Sequence, residues 1–220
     1  VAAALLFGLD QPLTVEVEGQ PLQARALIVA PDAEQSLQSD GDTLVVHLDP
    51  DSPLWGALAP RLQHGFARLP WAERQAEQIR QLRDCGDADR VRSQLTAMTA
   101  GDIESMQIDP RVQALAARLR AELPERLDLN VVAAGLGLSA ARLSRLFREA
   151  YGITPKRFLL HLKMQRVLHQ WQPGMTATEL AQAAGFYDQP HLIRTTREMF
   201  DVLPSAFLGN PDFRIIREKP

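Results

Sequence analysis

The chain has a single cysteine, Cys85. One thiol cannot build an intramolecular disulfide framework, and its isolation points to a reducing compartment, so a cytoplasmic location is expected. Cys85 stands between Asp84 and Asp87, and nearby acids raise a thiol pKa, so an unreactive thiol is expected there. No run of 18 apolar residues occurs, so no membrane span or membrane partner is expected. The five histidines, His47, His64, His161, His169 and His191, form no HxxxH, HxE or Cys/His pair, which excludes the common zinc spacings. GxSxG and GxxxxGK[ST] are missing, and Gly135-Leu136-Gly137 lacks the third glycine of a dinucleotide fingerprint. No catalytic residue, cofactor or metal is therefore expected, and the chain is read as a non-enzyme.

What is present is a packable chain of 220 residues, 45% of them apolar, enough for one large domain or two ordinary ones. It opens on VAAALLFGLD, apolar but with no basic segment before it, so a signal peptide is not expected. It starts without Met in strand-like sequence, as a trimmed piece of a longer protein would. The net charge of −3 divides unevenly. Residues 1–108 hold 8 Lys and Arg against 16 Asp and Glu (−8), and residues 109–220 hold 16 against 11 (+5). Only the second half has the balance to meet a polyanion.

The first ~60 residues read as β-structure. LTVEVEG alternates from Leu13, and ARALIVA and DTLVVHL are short Val/Ile/Leu-rich runs between Pro, Gly and Asp turns. From Trp71 the texture turns helical: WAERQAEQIRQLRDCG, a break at Gly86-Asp87, then DADRVRSQLTAMT. After Pro110 everything reads as helix and turn. Asp109 and Pro110 start a helix with an apolar stripe at Val112, Leu115, Ala116, Leu119 and Leu123, stopped by Pro124. A short helix over 130–136, a helix capped by Ser139, and a long helix from Pro155 to about Trp171 follow. Thr176-Ala177-Thr178-Glu179 is a capping box, and Asp188 caps the last helix.

An internal repeat is the most informative feature. ARLSRLFREAYGITPKRF (141–158) and PHLIRTTREMFDVLPSAF (190–207) share six identities in 18 at an offset of 49. The matches are Leu143/Leu192, Arg145/Arg194, Arg148/Arg197, Glu149/Glu198, Pro155/Pro204 and Phe158/Phe207. Upstream, Gly137 corresponds to Gly185 with one residue inserted. Each copy reads short helix, glycine turn, capped second helix, which is a helix-turn-helix unit. At 100° per residue Leu143, Leu146, Phe147 and Ala150 share one face. Ala141, Arg145 and Arg148 lie opposite, with Ser144 at the flank. The second copy presents Pro190, Arg194 and Arg197, with Ile193 flanking.

An outward arginine on the second helix of such a unit suits major-groove reading, because its planar fork can bond guanine O6 and N7 together. Arg148 and Arg197 suit phosphates. Lys156, Arg157, Lys163 and Arg166 on the joining helix are further phosphate candidates, and Arg142 and Thr176 complete that set. The joining helix, about 26 Å at ~1.5 Å per residue, would hold two recognition helices roughly 34 Å apart, one turn of DNA. Double-stranded promoter or operator DNA is thus the expected partner.

Residues ~110–208 resemble the DNA-binding domain of AraC/XylS-type transcription regulators. LSAARLSRLFREAYGITPKRF and ELAQAAGFYDQPHLIRTTREMFDVLPSAF carry the resemblance. It implies seven helices with two helix-turn-helix units. It puts base reading on Ala141, Ser144 and Arg145 in the first and on Pro190, His191, Arg194 and Thr195 in the second. His191, in the first turn of a recognition helix, is expected to face DNA or cap the helix rather than catalyse. The family has an aromatic where Thr196 stands, a glycine at Asp201 and a small polar residue at Pro190. Thr196 is therefore expected to pack less well than Phe147, leaving the second recognition helix looser and Arg145 the stronger reader.

The N-terminal portion resembles, more loosely, the cupin-like ligand-sensing domain of the same regulators, through LLFGLDQPL, VAPDAEQSL and LDPDSPL. Such barrels often carry a histidine near the position of Gln35. Its absence speaks against a metal-dependent cupin enzyme and leaves the effector-binding residues unknown. The expected fold is α+β: a partial cupin-like β-barrel with a helical linker, then an all-α domain with two helix-turn-helix units. The expected boundaries are 1–70 for the sensing domain, 71–108 for the helical linker and dimerisation region, 109–210 for DNA binding and 211–220 for a tail. An unidentified small-molecule effector, RNA polymerase and a second copy of the chain are candidate partners. Two other readings stand beside this one: an interaction adaptor that has lost DNA contact, and an alkyl-transferring DNA-repair protein, which would need an activated cysteine.

Overall fold

The structure is a computed structural model and describes residues 3–83, 88–99, 107–172 and 174–200. Cys85, the Gly86-Asp87 break, the tail 211–220 and the repeat's Pro204 and Phe207 lie outside the described residues. Contacts divide the chain into two units with the boundary between Gln107 and Ile108.

The first unit contains two antiparallel sheets. One has the order β6-β1-β4-β7, from Thr43–Leu48, Ala3–Gly8, Ala26–Val29 and Phe66–Arg68. The other has the order β3-β2-β5, from Gln20–Ala24, Leu13–Val17 and Gln35–Gln38. Strands β1 and β4 are buried at every residue, whereas β2 alternates buried and exposed. The reason is layering. Ala4, Leu6, Leu27 and Val29 turn one face of the first sheet towards Leu13, Val15 and Val17 of the second. Ala3, Leu5, Phe7 and Ile28 turn the other face towards helices. A strand covered on both faces has no polar side to offer, so it reads as a continuous apolar run. The paired sheets fit the cupin-like partial barrel.

Those helices are α1 (Pro53–Leu58), α2 (Pro70–Arg74), α3 (Ala76–Arg83) and α4 (Ala88–Thr99). Trp71, Ile79, Leu82 and Leu95 join the sheet residues in one core, so the stretch expected as a linker contributes to the first unit's interior. The single helix expected from Trp71 is broken at Gln75, whose backbone (φ −120°, ψ 25°) leaves the helical region. Trp71, Ala72, Ile79 and Leu82 would share a face in a straight helix too. The break thus leaves the buried side the same.

The second unit is helical throughout its described residues. Helix α5 (Pro110–Glu122) starts at the Asp109 cap and buries Val112, Leu115, Ala116 and Leu119. Then come α6 (Leu129–Gly135), α7 (Ala140–Tyr151), α8 (Pro155–Gln170), α9 (Ala177–Ala183) and α10 (Gln189–Phe200). The repeat is visible in the lengths: 7 and 12 residues for α6 and α7, 7 and 12 for α9 and α10. Both inter-helix turns pass through a left-handed glycine, Gly137 at φ 66° and Gly185 at φ 76°. Both are closed by the same backbone bond: Leu138 donates to the Ala133 carbonyl and Phe186 to the Ala181 carbonyl, each at 2.9 Å. Among the described residues no helix is long and apolar enough to cross a membrane.

Candidate nucleic-acid interface

Helix α7 is held by its inner face. Leu143, Phe147, Ala150 and Tyr151 are buried, and Phe147 meets Tyr151 and Phe158 at ring-centroid distances of 4.7 and 5.3 Å. Ser139 accepts from the Arg142 N–H and sets the start of the helix. With that face fixed, Ala141, Arg142, Arg145 and Arg148 are exposed and Ser144 is half-buried. Arg145 Nε lies 3.7 Å from Glu149 Oε1, one turn on. An exposed i,i+4 pair is worth about 0.3–0.5 kcal/mol. A bidentate guanine contact discriminates by about 1–3 kcal/mol, so the pair orients Arg145 without withholding it.

Helix α10 repeats this with changes. Asp188 accepts from the His191 N–H at 2.7 Å and starts the helix. Leu192, Thr195, Thr196 and Met199 are buried, while Pro190, Arg194 and Arg197 are exposed and Ile193 is half-buried. His191 is half-buried, its ring edge-on to Phe186 at 5.2 Å. Burial lowers its pKa below the ordinary histidine value, aided by the Lys163 and Arg194 charges and opposed by Asp188 and Glu198. A neutral ring packed on an aromatic is a wall of the turn, consistent with a packing role at the head of the helix.

Two expected contacts are overturned. Lys163 is 1% exposed, and its Nζ donates to the Glu125 carbonyl at 2.9 Å, so it cannot reach a phosphate. Thr195 is 3% exposed and cannot read a base, because it falls on the inner side of α10 beside Thr196. Thr176 is exposed, but its N–H and hydroxyl bond Glu179 Oε2 at 2.9 and 2.8 Å, and the carboxylate it holds would repel a phosphate. These bonds keep the Glu179 pKa low. Lys156 and Arg166 are exposed, and Arg157 is half-buried, with Nη1 3.6 Å from Glu198 Oε2 on α10. The exposed basic candidates are Arg142, Arg145, Arg148, Lys156, Arg166, Arg194 and Arg197.

Thr196 takes the position that Phe147 has in the first copy. It is fully buried, as Phe147 is, and its hydroxyl donates to the Leu192 carbonyl at 2.9 Å with Met164 Sδ at 3.9 Å. The smaller residue bonds its own helix, and Met164 comes up to it. One feature escaped the sequence reading: Tyr187, 68% exposed, with the Arg126 guanidinium 5.5 Å from its ring centroid. Tyr187 is the residue by which the second turn is longer than the first, so the repeat alignment carried the signal.

No group of three or more His, Cys, Asp or Glu that could hold a metal occurs among the described residues. In the first unit a shallow cavity lies where β1 and β4 meet α2 and α3. Phe7, Leu9, Arg25, Ala26 and Ile79 line it, and it has room for about one water.

A family model described as a helix-turn-helix domain matches residues 132–210. The chain is similar to the HTH-type transcriptional regulator GbdR of Pseudomonas aeruginosa, 32% identical over 96 residues, 43% of this chain and 26% of that protein. It is 33% identical over 103 residues to the HTH-type transcriptional regulator YidL of Escherichia coli K12, 46% of this chain and 35% of that one. The chain thus spans only about a quarter to a third of these relatives' lengths. In fold it is similar to ToxT from Vibrio cholerae, with a TM-score of 0.60 at 9% identity, covering 94% of this chain and 89% of that chain. The C-terminal part of the chain is thus a helix-turn-helix domain similar to those of HTH-type transcriptional regulators.

Proposed function

We propose that this protein is a sequence-specific, double-stranded-DNA-binding transcription regulator whose first unit responds to a small molecule. One observation carries the reading. Two helix-turn-helix units of equal element lengths each expose two arginines at repeat-equivalent positions, and one 16-residue helix joins them. At ~1.5 Å per residue that helix is about 24 Å long, which with helix widths added suits two successive major grooves. Arg145 and Arg194 read bases, with Ala141, Ser144 and Pro190 shaping the fit. Arg142, Arg148, Lys156, Arg166 and Arg197 hold phosphates. Nothing in this role requires catalysis. RNA polymerase and a second copy of the chain are partners consistent with it.

The test is selection of genomic fragments by the purified protein, followed by binding of Arg145→Ala and Arg194→Ala to the selected site. Each should cost about 1–3 kcal/mol on that site and relax one base preference. Equal weakening on selected and random DNA would remove the base-reading role.

A further inference from the structure

The second unit has two cores that stay separate. One gathers Val112, Leu143, Phe147, Phe158 and Leu162, the other Met164, Val167, Leu180, Leu192 and Met199. Helix α8 feeds both from opposite faces, Phe158 and Leu162 on one and Met164 and Val167 on the other. A helix shared in this way sets the distance between two cores. Rotation of one about the helix axis is left to contacts at its sides.

Lys163 supplies such a contact. It lies between the residues that serve the two cores. Its Nζ bonds the Glu125 carbonyl, in the segment that leads into α6, and stands 5.9 Å from the centroid of the Phe186 ring, in the turn between α9 and α10. Beside it Arg126 lies over Tyr187. Consecutive residues ahead of the first helix-turn-helix thus face consecutive residues in the turn of the second. Phe186 passes the contact on to His191 in the first turn of α10, and Arg157 pairs with Glu198 further along it. Tyr187, being the inserted residue, has no counterpart in the first helix-turn-helix.

Burying an ammonium is costly unless it is bonded. An apolar side chain would fill the space, but its packing has no direction. A carbonyl bond and a cation–π contact do, and Lys163 makes both at once.

We infer that Lys163 is a positioning residue: by tying the Glu125 carbonyl to the Phe186 ring it fixes the angle between the two recognition helices, and so the spacing of the two DNA half-sites that the protein accepts. The first clause stands without DNA; the second rests on the proposed function.

The test has one arm for each. Spin labels at positions 148 and 197 of a Cys85→Ser protein, measured without DNA, should give a narrow distance distribution. It should broaden in Lys163→Met with helix content unchanged, and narrow again in Lys163→Arg. In the second arm, duplexes selected by the wild type are rebuilt with one base pair added or removed between half-sites, which turns one half-site by about a tenth of a helical turn. The wild type should lose about tenfold or more in affinity, or about 1.4 kcal/mol. Lys163→Met should lose less than about a third of that in free-energy terms, with its affinity for a single half-site unchanged. Unaltered distances in Lys163→Met overturn the inference. If that variant does not fold, Phe186→Leu, which removes the ring that Lys163 faces but keeps an apolar side chain there, takes its place, with the same two outcomes. A protein that binds no DNA fails the proposed function, while the distance measurement still decides the clamp.

Discussion

Thr196 shows how one residue can hold a core position in two ways. Phe147 fills the equivalent place with a ring, whereas Thr196 bonds the Leu192 carbonyl and meets Met164. The site is already closed, so Thr196→Phe should be destabilising by about 1–3 kcal/mol through overpacking. Urea unfolding measures it, and a gain in stability would reveal unfilled space. His191 gives a pH signature. Its native pKa is depressed, chiefly by burial. Below about 6.5, the ordinary value, the unfolded chain takes up a proton that the native state refuses. Its contribution is therefore complete above about pH 6.5, lost as the pH falls, and level once the pH is below the native pKa. The melting temperature of His191→Gln should fall less than that of the wild type between about pH 7.5 and about pH 5.5; equal falls would show that His191 is not the group responsible.

Elements in the second unit are bounded by short-range chemistry. Ser139, Thr154, Thr176 and Asp188 each accept from a backbone N–H in the first turn, and Gly137 and Gly185 provide the left-handed corners. A Cβ on Gly185 would meet nothing within 4 Å, so Gly185→Ala adds only backbone strain. It should cost about 1 kcal/mol, and Gly185→Asn, which tolerates that region better, clearly less. Thermal melting of the two variants compares them, and an equal cost would point to a lost contact instead of strain. Boundaries of this kind are legible because a cap or a glycine acts on neighbours within four residues. The break at Gln75 is not legible, because no residue near it is a breaker.

For the whole molecule the relevant quantity is charge that can reach a polyanion. Of the basic residues proposed above to hold phosphates, the structure leaves Arg142, Arg148, Lys156, Arg166 and Arg197 exposed, and it takes Lys163 inside. The salt dependence of DNA binding should register that division. Arg148→Ala or Arg166→Ala should reduce the slope of log K against log salt by about 1, while Lys163→Met leaves it unchanged. A reduced slope in Lys163→Met would mean that its ammonium reaches DNA after all.

The helix order of the second unit, the repeat, the caps and the outward arginines were determined by the sequence itself, because periodicity and capping depend on residues a few places apart. The fates of Lys163 and Thr195 and the meeting of Arg126 with Tyr187 were not. Lys163 has the composition of a surface contact, yet its partners are 38 residues back at Glu125 and in the ring of Phe186. Only the packing of the two helix-turn-helix motifs of the second unit on α8 brings those groups to it. Tertiary structure decided these points because burial and pairing are set by neighbours distant in the chain, to which local pattern is blind.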